Sequence, residues 1–118
     1  MASARISTAF IPVSDPVRSA AWYADRFGLE LNRADEWSAT LRAGSDVLLT
    51  LMGPASGIAA SPGLRWATCN FLVDDLELAR AQMIEERLDP APIDGDPSVC
   101  LFFTVDDPDG NTLLVTDR

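Results

Sequence analysis

The amino-acid sequence predicts an α+β fold built from two βαβββ modules, and three observations carry that expectation. Apolar runs of strand length alternate with two amphipathic helical stretches. The order strand, helix, three strands occurs twice along the chain. Val13-Ser14-Asp15 falls on Val73-Asp74-Asp75 at an offset of 60 positions, which also places Thr8 on Thr68. A period near half the chain points to a duplicated unit rather than a solenoid. Two such units, each with a helix covering one sheet face, leave two concave faces to enclose a shared cavity.

Each element has a local reason. In the first module, about residues 5–52, "ISTAFIPV" is expected as a strand and "SDPVRSAAWYADRFG" as a helix. Ser14 or Asp15 serves as its N-cap, Pro16 occupies its first turn and Gly28 stops it. Val17, Ala20, Ala24 and Phe27 recur at helical spacing and predict its apolar face. "LELNRA", "WSATLRA" and "DVLLTLM" follow as three short strands, the last two joined at "GSD". The stretch 53–63, "GPASGIAASPG", is rich in Gly, Ala, Ser and Pro and is expected to link the halves.

The second module, about residues 64–117, repeats the pattern. "LRWATCNFLV" is expected as a strand, and "DDLELARAQMIEERL" as a helix opened by Asp74 with Glu77 completing a capping box. Leu76, Ala79 and Met83 give this helix its stripe, and Pro90 ends it. "APID", "SVCLFFTV" and "NTLLVT" complete the module. The acids of "DDPDGN" lack the spacing and closing glutamate of a calcium-binding loop, so they are expected to build a turn, with Gly110 in the left-handed conformation.

Composition narrows the function. One domain over residues 1–118 is the expectation from length, and 47% hydrophobic residues suffice for a core. Eighteen acidic residues against nine arginines, with no lysine, give a net charge of −9, which disfavours nucleic acid and anionic membranes as partners. The same charge would steer a cationic ligand favourably. Because the chain contains no histidine, imidazole metal sites and Ser-His-Asp or Cys-His nucleophile pairs are excluded. Cys69 and Cys100 sit in apolar runs and are expected as buried free thiols. No apolar run reaches the roughly 20 residues of a membrane helix. "MASARIST" lacks the apolar segment of a signal peptide, so a cytoplasmic location is expected.

Two stretches at opposite ends of the chain resemble a known family. "FIPVSDPVRSAAWYADRFGLEL" is similar to the opening strand and helix of the vicinal oxygen chelate superfamily, which includes glyoxalase I, bleomycin-resistance proteins and extradiol dioxygenases. "FFTVDDPDGNTLLV" is similar to its terminal turn and strand. The resemblance implies a glyoxalase/bleomycin-resistance-type fold, a curved, partly open barrel around a pocket, commonly in a homodimer. It does not imply one activity, since this fold hosts unrelated ones. Metal-dependent members place His or Glu at up to four equivalent strand positions, which fall here on Thr8, Thr50, Thr68 and Leu114. All four depart from that pattern, and a slip of one residue in register restores no ligand set. No metal or other cofactor is therefore expected.

Alternation along the strands predicts what the pocket offers instead. Thr8, Phe10 and Pro12 share a face, as do Leu48, Thr50 and Met52, Thr68 and Asn70, and Thr112, Leu114 and Thr116. Trp37 and Trp66 stand at strand starts, where a ring can stack on a planar or cationic group. One of Phe102 and Phe103 faces the pocket, and alternation alone does not decide which. The expected ligand-binding set is Thr8, Phe10, Trp37, Thr50, Met52, Trp66, Thr68, Asn70, Phe102 and Leu114. The leading expectation is a metal-free, non-catalytic, homodimeric binding protein of the bleomycin-resistance type, holding a small organic ligand of cationic or aromatic character. The alternatives are a lyase, isomerase or dioxygenase of the same superfamily with an atypical metal site, and a sensory or accessory domain.

Overall fold

Each βαβββ unit forms because its helix has one apolar stripe, its sheet has one apolar face, and the two cover each other. The structure is a computed structural model that describes residues 2–118. It divides into two compact units, one ending at Pro62 and the other beginning at Gly63. The expected α+β class and the twofold βαβββ order are both present.

The first unit runs β1 (Thr8–Pro12), α1 (Pro16–Phe27), β2 (Glu30–Ala34), β3 (Ser38–Arg42) and β4 (Leu48–Met52). The strand order is β1-β4-β3-β2, with β1 parallel to β4 and the remaining pairs antiparallel. Ile11, Ala39, Leu41, Leu49 and Leu51 alternate onto the buried face. Against them α1 buries Pro16, Ser19, Ala20 and Tyr23, which corrects the expected stripe of Val17, Ala20, Ala24 and Phe27. Both sets have helical spacing, but the observed one is rotated by a residue. Small Ser19 and Ala20 let the helix approach the sheet, Tyr23 fills the space with its ring stacked on Phe27, and Val17 is left in solvent. Each large apolar side chain buried this way contributes about 1.5–3 kcal/mol.

The boundaries follow local chemistry. Asp15 caps α1 by accepting from the Arg18 N–H at 3.3 Å, and Gly28 closes it in the left-handed region. Asp35 shapes the β2–β3 turn, accepting from the N–H groups of Ser38 and Trp37 at 3.0 and 2.8 Å. Those two amides, Ser38 first, hold its carboxyl below the ordinary carboxylate range. After β4 the chain passes so near α1 that a Cβ on Gly53 would lie 2.7 Å from Pro16 Cγ, which only glycine avoids. The expected linker is not featureless, since Pro54–Ser56 forms one 3₁₀ turn.

The second unit runs β5 (Asn70–Leu72), α2 (Leu76–Glu85), β6 (Asp94–Asp96), β7 (Cys100–Asp106) and β8 (Thr112–Thr116), with strand order β5-β8-β7-β6. Its core is Leu76, Met83, Phe103, Val105, Leu113 and Val115. Four expectations need correction. The α2 cap is Asp75 rather than Asp74, because the Asp75 carboxylate accepts from the Leu78 N–H at 3.0 Å; this makes it the equivalent of Asp15 at the offset of 60. Strand β6 lies at 94–96 rather than 91–94. Pro90 and Pro92 lack N–H donors, and the carbonyls of Pro90 and Ala91 accept from Arg80 at 3.3 and 2.8 Å, so that stretch cannot sustain a ladder. Strand β5 begins only at Asn70, since Gly63 and Leu64 before it are bonded to the Asn111 side chain. Cys69 and Cys100 are free, as expected, but half-buried rather than buried; burial pushes the Cys69 thiol up.

The turn after β7 fixes the segment before β5. Asp107 Oδ1 accepts from the Asp109 and Asn111 N–H groups, both at 2.9 Å, and Gly110 takes φ +79°. The Asn111 side chain is almost fully buried. It donates to Asp107 Oδ2 at 2.9 Å and accepts from the Gly63 and Leu64 N–H groups, both at 2.9 Å. The Thr112 N–H donates to the Leu64 carbonyl at 2.7 Å. Residues 63 and 64 are thereby bonded to the turn instead of extending β5. Asn111→Ala is expected to cost about 2–3 kcal/mol, because it removes three hydrogen bonds made by a buried side chain and leaves the buried Asp107 carboxylate without its side-chain amide donor, and to lower the thermal midpoint by about 10 °C. Exposed Asp106→Asn should stay within about 0.5 kcal/mol of the parent in the same melt.

Candidate functional site

The outer face of the second sheet is the candidate site, and strand alternation builds it. Phe103, Val105, Leu113 and Val115 point into the core, so Cys100, Phe102 and Thr104 on β7 and Thr112, Leu114 and Thr116 on β8 point out. Leu114 sits between Asn70 and Thr104 in register, and Phe102 is opposite Thr116. The segment tied down by Asn111 brings Arg65, Trp66 and Ala67 to the same place. Together these residues line a hollow of about 470 Å³. That volume lies within the range of about 300–1,000 Å³ typical of small-ligand pockets.

The lining is almost wholly apolar, with a few groups available for hydrogen bonds. Thr116 Oγ1 accepts from Asn70 Nδ2 at 2.8 Å. The hydroxyls of Thr104 and Thr112 have no side-chain hydrogen bond among the described residues, and Arg65 has neither a hydrogen bond nor an ion pair there. Trp66 is 82% exposed, a large ring left in solvent at the edge of the hollow.

The residues singled out from the sequence are distributed as follows. Trp66, Phe102 and Leu114 line the hollow, while Phe103 is the core member of its pair. Asn70 lies beside the hollow, bonded to Thr116, and Thr68 is exposed outside any strand. Thr8, Phe10, Thr50 and Met52 belong to the first sheet, and exposed Trp37 to the turn before β3. In the first sheet Thr8 Oγ1 lies 2.6 Å from Thr50 Oγ1 and 3.0 Å from the Leu48 carbonyl, and Asn32 Nδ2 donates to Thr40 Oγ1 at 3.0 Å. The sequence reading missed Arg65, Ala67, Cys100 and Thr104. Cys100 and Thr104 were within reach once Phe102 was placed, by spacing of two along β7. No periodicity marked Arg65 or Ala67, since their segment is irregular.

A family model for the glyoxalase/bleomycin resistance protein/dioxygenase superfamily matches residues 5–115. The chain belongs to that superfamily. Among solved structures it is similar to a superfamily member from Sphaerobacter thermophilus DSM 20745, with a TM-score of 0.81 at 21% identity over 98% of both chains. It is also similar to TnmS3, an antibiotic-binding protein from Streptomyces sp. CB03234, with a TM-score of 0.78 at 21% identity over 98% of this chain and 96% of that one. Lactoylglutathione lyase from Agrobacterium tumefaciens gives a TM-score of 0.76 at 18% identity over 97% of this chain and 93% of that one. No curated protein matches. At these identities the likeness is one of fold, shared by a binder and an enzyme.

The metal of the superfamily's metal-dependent members does not fit these residues. Leu114 has no donor atom, and the Thr8 and Thr50 hydroxyls are bonded to each other. Among the described residues no three His, Cys, Asp or Glu side chains come together as a metal site. Leu114→Glu restores one carboxylate and nothing to complete a set. After dialysis against zinc or nickel, the variant is expected to retain no more metal than the parent; stoichiometric retention would show that further ligands converge on position 114.

Proposed function

We propose that this protein is a small-molecule binding protein of the antibiotic-binding kind, holding an organic ligand by packing and a few hydrogen bonds, without metal coordination or catalysis. The observation that carries this reading is the hollow on the second sheet. It offers Phe102, Leu114 and Trp66 as apolar surface and two threonine hydroxyls for orientation, where an enzyme of the superfamily would need a ligating carboxylate. The likeness in fold to an antibiotic-binding protein is in keeping with it. The ligand, on this reading, is a natural product of aromatic or cationic character, and the working form is a cytoplasmic homodimer, which sedimentation equilibrium would test.

Calorimetric titration with bleomycin-like, mitomycin-like and other aromatic antibiotics tests the function. At least one should bind, and silence across the panel at millimolar concentration would sink the proposal. Phe102→Ala should weaken such binding about tenfold, the loss expected when an aromatic contact surface is removed, while changing stability by less than about 1 kcal/mol. Phe103→Ala, one position along, should instead cost about 3–5 kcal/mol of stability, because it empties the core.

A further inference from the structure

The hollow's charge differs from that of the rest of the protein. The chain carries eighteen acidic residues, yet among the described residues none of them lines this hollow, and the one charged residue that does is Arg65. That guanidinium makes no ion pair or hydrogen bond among the described residues, so its five N–H donors are not engaged by the protein. Its neighbour Trp66 and the ring of Phe102 belong to the same lining, and the Thr104 and Thr112 hydroxyls can donate from the sheet.

Resting on the binding function proposed above, we infer that the ligand of this hollow is a planar aromatic molecule bearing an anionic oxygen substituent, with Arg65 as the residue that selects for it. Phe102, Trp66 and Leu114 supply flat apolar surface for the ring system. A guanidinium fork and two unengaged hydroxyls suit a carboxylate or phenolate edge, since charge-assisted bonds to oxygen anions are the stronger class.

The protein's net charge of −9 pulls the other way and would attract a cation. Distance decides between the two effects. Salt at physiological strength screens exposed charges beyond about 8 Å, so the acids of distant turns and helix caps lose most of their hold on a bound ligand, while Asp117, next to the lining residue Thr116, is engaged by the Leu101 N–H at 3.0 Å. Arg65 belongs to the lining itself, and its unengaged guanidinium can turn onto an anion bound there. A cationic ring stacked on Trp66 would gain a cation–π term but would sit beside the guanidinium with no carboxylate in the lining to offset the repulsion.

Three naphthalenes of matched shape test the inference: 2-naphthoate, 2-naphthol and 2-naphthylmethylammonium, titrated calorimetrically into the parent protein and into Arg65→Gln. The anion is expected to bind about tenfold more tightly than the cation. Arg65→Gln should weaken the anion about five- to tenfold, leave the neutral naphthol within twofold and improve the cation, the pattern expected for a charge-assisted bond. Equal or tighter binding of the cation by the parent, or an equal loss of all three in the variant, would overturn the inference while leaving the binding function intact. If members of the antibiotic panel bind and no naphthalene does, the assigned ligand class is wrong. If neither set binds, the proposed function falls with it.

Discussion

One buried side-chain amide joins the halves of this site. Asn111 bonds its own turn through Asp107 and reaches across to the N–H groups of Gly63 and Leu64. Those two amides, in an irregular segment, would otherwise need water or a sheet partner. Taking them out of the β5 ladder lets the next three residues stand over the sheet rather than extend it. Arg65, Trp66 and Ala67 line the hollow for that reason. The acidic turn "DDPDGN", which looks at first like an ion-binding loop, thus serves the hollow indirectly: the Asp107 carboxylate binds the turn's own N–H groups, and Asn111 ties down the segment that carries Arg65 and Trp66.

The same division of labour governs each sheet. Alternation sends every second side chain to the helix, where burial stabilises the unit, and frees the others for chemistry. The two sheets use the free positions differently. In the first, Thr8 and Thr50 satisfy one another at 2.6 Å, and Thr40 is bonded by Asn32, so the polar groups are already engaged. In the second, the position in β8 that corresponds to Thr50 in β4 is Leu114, and the hydroxyls on either side of it, at Thr104 and Thr112, stay unengaged by other side chains. The two units share a core pattern and differ on their outward faces.

Much of the fold was legible because periodicity and capping act locally. The offset of 60 that aligns Val13-Ser14-Asp15 with Val73-Asp74-Asp75 proved to mark equivalent helix caps, Asp15 and Asp75, each accepting from the N–H three residues on. What local pattern could not show was competition between partners. "LRWATCNFLV" has strand composition throughout, yet its first half answers to Asn111, a residue more than forty positions away. "APID" likewise yields its first carbonyl, that of Ala91, to Arg80 on α2, as does Pro90 just before it. The stripe of α1 was misplaced by one residue because Tyr23, with a polar tip, gave a weaker apolar signal than Val17 although its ring fills the core.

The site followed the same rule. Phe102 and Leu114 were legible as residues on strands, with only the choice between Phe102 and Phe103 left to the structure. Arg65 was not legible, since an exposed arginine in an irregular stretch has no periodic neighbour to mark it. Yet the positions invisible to pattern are the ones free to change without disturbing the core: replacing Arg65 touches no ladder bond, no buried methyl and no cap. A scaffold whose specificity rests on such a residue can alter the charge it selects by one substitution while its stability stays almost constant. On the proposed reading, the core, the caps and the Asn111 amide would set where a ligand lies, and the segment they hold would set which ligand it is.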